Sequence, residues 1–99
     1  MQDTKETARF LAGEHMKEDE GLRTVYWAPS EDEVYLVEVT TSAPDSGDVL
    51  PFRFTPDPPD VPFASTVILL SPQDWERVNR KELELPGSFS VDLQKILAR

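Results

Sequence analysis

The sequence predicts one α+β domain over residues 1–99: a four-stranded, mostly antiparallel sheet with an N-terminal helix and two short C-terminal helices packed mainly on one face, in the order α-β-β-β-β-α-α. Three observations carry this expectation. A helical stripe opens the chain, four runs rich in β-branched and aromatic residues follow it, and Ser-Pro and Pro-Gly pairs punctuate the last thirty residues. Ninety-nine residues suit a single core.

The first helix is expected from Asp3, which with Glu6 three residues on forms a capping box. Ala8, Leu11, Ala12, His15 and Met16 then recur at helical spacing and make one apolar stripe. "EDEG" at 18–21 is expected to end it, with Gly21 in a left-handed cap. Acids at a helix C-terminus oppose the macrodipole, which points to another use for them or to fraying of the helix end. Phe10 lies nearly opposite the stripe and needs some other contact.

"LRTVYWAP", "SEDE" and "VYLVEVTT" read as a hairpin with its acidic tip in water. Tyr26 and Trp27 must face opposite sides of the sheet. In the second strand Tyr35, Val37 and Val39 line a core face, and Val34, Leu36, Glu38 and Thr40 a semi-apolar one. "VLPFRFT" alternates around Pro51, whose missing N–H suits an edge strand. The segment Thr55 to Pro62 is a proline-stiffened connection, and "ASTVILL" is a buried strand.

"SPQDW" is the clearest local signal. Ser71 fits the N-cap, Pro72 the first helical position and Asp74 a capping box, so a short helix runs to about Lys81 with Trp75 and Val78 facing the core. A last helix is expected from a Ser90 cap, because Phe89, Leu93, Ile96 and Leu97 share one helical face.

Composition narrows the chemistry. No cysteine means no disulfide and no thiolate chemistry, and the polar opening "MQDTKETARF" does not read as a signal peptide, so a cytoplasmic protein is expected. The net charge is −9, and its whole excess lies in residues 1–70, with five basic and fourteen acidic side chains. Such a surface repels phosphate backbones, so direct nucleic-acid binding is not expected, and no apolar stretch is long enough to span a membrane. The expected partner is another protein, and a basic one would suit this charge.

His15 is the single histidine; with Glu18 and Asp19 one turn on it could touch a metal, but it more simply packs and hydrogen-bonds. Asp45, Asp48, Asp57 and Asp60 fill turns too sparsely for a calcium loop. No serine elbow and no glycine-rich phosphate loop occur, and no cofactor or metal is expected. The expected function is therefore a non-enzymatic protein–protein interaction or regulatory module. Two alternatives stand beside it: a metal-assisted hydrolase using turn carboxylates with His15, and a nucleic-acid mimic that blocks a basic cleft.

The candidate partner surface combines Phe10, Tyr26 and Trp27 with the acidic tip Glu31, Asp32 and Glu33. It also takes in Arg53, Pro56 and Pro59, which satisfy the R-x-x-P-x-x-P order of polyproline ligands. The sequence leaves the oligomeric state open; Phe10 and the Pro51 edge strand are the natural places for a homodimer contact.

Overall fold

A computed structural model describes residues 4–30, 33–43, 52–55, 65–89 and 92–99, with 52–55 and Ser88 described by their backbone alone. Helix α1, Thr4–Glu18, buries Thr4, Thr7, Ala8, Leu11, Ala12 and His15, the three-four spacing that turns one side of a helix toward a core. Asp3, the expected cap, lies outside the described residues.

Strands β1, Leu22–Ala28, and β2, Val34–Thr40, form the expected antiparallel hairpin, with Tyr26 opposite Val37 and Trp27 opposite Leu36. Strand β3, Phe52–Thr55, does not return to β2. It pairs antiparallel with β4, Ser65–Leu70, and β4 pairs parallel with β2. The sheet is therefore mixed rather than mostly antiparallel. The reason lies in β4: Val67, Ile68 and Leu70 are fully buried on alternate faces, and a strand apolar on both sides belongs inside a sheet. The 41–64 connection is long enough to let it enter there.

Helix α2, Pro72–Asn79, starts where its local signal places it. Ser71 is extended (φ −68°, ψ 159°), and its hydroxyl accepts the Asp74 N–H at 3.1 Å. The helix closes in a Schellman motif: the Glu82 N–H donates to the Arg77 carbonyl at 2.8 Å and the Lys81 N–H to that of Val78 at 3.0 Å. Lys81 occupies the left-handed position, at φ 63°, where glycine is usual.

The helix expected from Ser90 is instead strand β5, Gln94–Ala98, preceded by a 3₁₀ turn at Gly87–Phe89. β5 pairs antiparallel with β1, completing a five-stranded sheet of order β3-β4-β2-β1-β5. Val25 faces Leu97 and Tyr26 faces Lys95, so Ile96 is an extra residue in a β-bulge. A bulge re-aims side chains, and here Ile96 and Leu97, though adjacent, both pack on the α1 side. A helix of the nine residues after Ser90 would be marginal in water on its own, whereas a strand gains the open ladder of β1.

The helices lie on opposite faces, not mainly on one. On one face α1 packs Ala8, Leu11 and Ala12 against Val25, Trp27, Leu36 and Val67. On the other, Trp75 and Val78 of α2 together with Leu83, Leu85, Phe89 and Leu93 cover Ala28, Val37, Ile68 and Leu70. Both faces of β2 are consequently buried, including the one that reads as semi-apolar in sequence.

Candidate functional site

The residues expected to form one partner surface are distributed over both layers. Trp27 is only 8% exposed and lies beneath α1. Its indole N–H donates to the Thr4 hydroxyl at 3.3 Å, that hydroxyl donates to the Ser30 carbonyl, and the Lys5 ammonium stands 5.7 Å from the ring centroid. Phe10 is 50% exposed on the outside of α1. Tyr26 emerges on the opposite face, stacked on Trp75 with ring centroids 4.5 Å apart and planes at 30°. Glu33 is half-buried just before β2. The backbone of Arg53 pairs with Val67 in β3, while Glu31, Asp32, Pro56 and Pro59 lie outside the described residues. So Tyr26 and Phe10 do not share a surface, and Trp27 is part of the core.

Around Tyr26 the chain builds a site that its sequence does not announce. A groove of about 780 Å³ opens between α2 and residues 83–85, 89 and 92–93, over the β1 end of the sheet. Tyr26, Trp75, Val78, Leu83, Leu85, Phe89 and Leu93 make its apolar lining; Asn79, Lys81, Glu84 and Asp92 supply its polar groups. Each wall has a local cause. The Ser71 cap fixes where α2 begins and so where Trp75 and Val78 project. The Phe89 N–H donates to the Pro86 carbonyl at 2.8 Å, and this 3₁₀ turn drives Phe89 into the core edge-on to Tyr35, with centroids 5.2 Å apart. Leu83, Leu85 and Leu93 flank that turn and are left half-buried. The volume falls in the usual range for ligand-binding clefts, and most of the lining is hydrophobic, as such clefts are.

The other concentration of chemistry is polar and enclosed. Glu38 projects from the middle of β2 with 1% exposure, and its carboxyl group is hydrogen-bonded to His15 Nδ1 from α1. One helical turn on, the Asp19 carboxylate takes the Thr40 hydroxyl at 2.7 Å, the Ser42 hydroxyl at 2.9 Å and the Gly21 N–H at 3.0 Å. Asp19, at the end of α1, thus binds β2 and the turn after it. The opposed macrodipole is answered by Arg99, whose guanidinium donates to the carbonyls of Met16 and Glu20, the latter at 2.9 Å. A hydrogen-bonded His–Glu pair with an Asp–Thr–Ser cluster could in principle move protons. Here His15 and Glu38 are both buried, and the groove does not reach them.

Gly21 does not serve as a left-handed cap. A Cβ there would strike the Thr41 hydroxyl and come within 3.2 Å of the Ser42 amide nitrogen, so the glycine permits close approach of two backbones.

Among the described residues no three His, Asp or Glu side chains gather as a metal site, and no helix is long and apolar enough to cross a membrane. No protein-family model, no curated protein and no solved structure matches the chain. The functional reading rests on the site alone.

Proposed function

We propose that this chain is a non-enzymatic protein-binding module that takes apolar side chains of a partner protein into the groove beside α2. The open groove itself carries the reading: half-buried Tyr26, Trp75, Leu85 and Leu93 converge there, and burying such a surface is the main driving force for association. Stacked Tyr and Trp suit an anchor site, because rigid aromatics dominate binding energy at protein interfaces. Two features speak for binding over catalysis. The single histidine is held in a buried pair, and the chain has no cysteine nucleophile. The lack of cysteine also fits a reducing, cytoplasmic setting.

The test compares three variants in a quantitative binding measurement with a partner isolated by the wild-type chain. Trp75→Ala and Leu93→Gln, each verified as folded by its melting transition, should weaken binding about tenfold or more, as truncation of an interface anchor does. Phe10→Ala, on the opposite layer, should leave it unchanged. Full binding by both groove variants would reject the groove as the docking surface.

A further inference from the structure

Among the described residues three charged side chains line the groove: the carboxylates of Glu84 and Asp92, and Lys81. Glu84 and Asp92 are exposed and form no ion pair with the described residues. Four of the ten basic side chains are engaged elsewhere within the molecule: Arg77 with Asp74, Arg80 with Glu82, Lys17 with Glu14, and Arg99 with the end of α1. Lys95 stands opposite Tyr26 in the ladder but does not line the groove. The molecule as a whole carries −9, and a net charge of that size biases every encounter toward cations.

We infer that the occupant of this groove is a protein segment whose apolar face is bordered by lysine or arginine. This rests on the docking role proposed above and adds the partner's charge. Apolar side chains of the segment seat between Trp75 and Leu93, and its flanking cations meet Glu84 and Asp92 at the rim. An acidic segment would lose those contacts and meet repulsion as well, so the groove discriminates by charge at its edge and by shape at its floor.

A second copy of this chain is the less suitable occupant, since it brings the same negative charge. The free edge of β5 also carries a bulge at Ile96 and a charged Lys95, both of which obstruct strand-to-strand pairing between copies.

Three synthetic amphipathic peptides with one leucine pattern, and with lysine, glutamine or glutamate at every polar position, test this directly. Amide chemical-shift mapping on the intact chain should show the lysine peptide perturbing Tyr26, Val78, Leu85 and Leu93. Its affinity should fall as salt is raised, and should fall about fivefold in the Glu84→Gln/Asp92→Asn double variant, the size expected of two exposed ion pairs. The glutamate peptide should leave the groove unperturbed. Equal groove binding by all three peptides would overturn the charge inference and leave the docking role standing. Shifts confined to the outer face of α1, or no shifts with any peptide, would overturn both.

Discussion

His15 and Glu38 lie 23 residues apart in sequence and meet as a buried hydrogen-bonded pair between α1 and β2. Asp19 and Thr40 repeat the contact one step along. Four residues of helix rise about 6 Å and two residues of strand about 6.7 Å, so two polar rungs can join a helix to a strand without distorting either. The rungs set the position of α1 along β2, which apolar packing alone leaves free to slide.

Removing one member of the buried rung should cost more than removing both. Glu38→Met removes the carboxyl group bound to His15, and His15→Leu removes a partner of the buried Glu38 carboxyl; each should lose about 2–3 kcal/mol of stability. The double variant replaces the pair with apolar groups of similar size and should be more stable than either single variant. Urea unfolding of the three variants gives the comparison; additive losses would mean that the pair is not coupled.

Gly13 and Gly21 should respond to alanine with opposite signs. Gly13 sits within α1 and a Cβ there meets nothing within 4 Å, so Gly13→Ala should stabilise by about 0.5–1 kcal/mol and raise the Tm by several degrees. Gly21→Ala forces the Thr41–Ser42 turn away and should destabilise by about 1–3 kcal/mol. Thermal melts read both, and equal effects would contradict the packing at Gly21.

Lys81 holds a left-handed backbone without the freedom of glycine. Lys81→Gly should therefore gain about 1 kcal/mol, while Lys81→Ala should change stability little, because alanine bears the same backbone cost. A matched gain for both variants, measured by denaturant midpoint, would show that the lysine side chain and not its backbone is the source of strain.

These residues also mark what could be read in advance. The Ser71-Pro72 start of α2 and the β1–β2 hairpin are legible because a cap and a β-branched run act through near neighbours. The opposition of Tyr26 and Trp27 follows from strand geometry, but which of them a helix covers depends on where α1 docks. β5 escapes for a definite reason. Leu93, Ile96 and Leu97 have the spacing of a helical face, yet Leu93 packs on the α2 side and the bulge turns Ile96 and Leu97 together to the α1 side. The parallel entry of β4 is likewise a property of the whole sheet, since it depends on β3 taking the edge. The groove is the least legible feature: Tyr26, Trp75 and Leu93 come from separate elements, and no local pattern joins them.

The docking role of that groove is tested most directly by hydrogen-exchange protection of the chain alone and with its isolated partner bound. We expect new protection at the end of α2 and across residues 83–89 and 92–94, with the exposed turn of α1 around Phe10 unchanged. Protection at Phe10 with none beside Trp75 and Leu85 would contradict it and move the interface to the opposite layer.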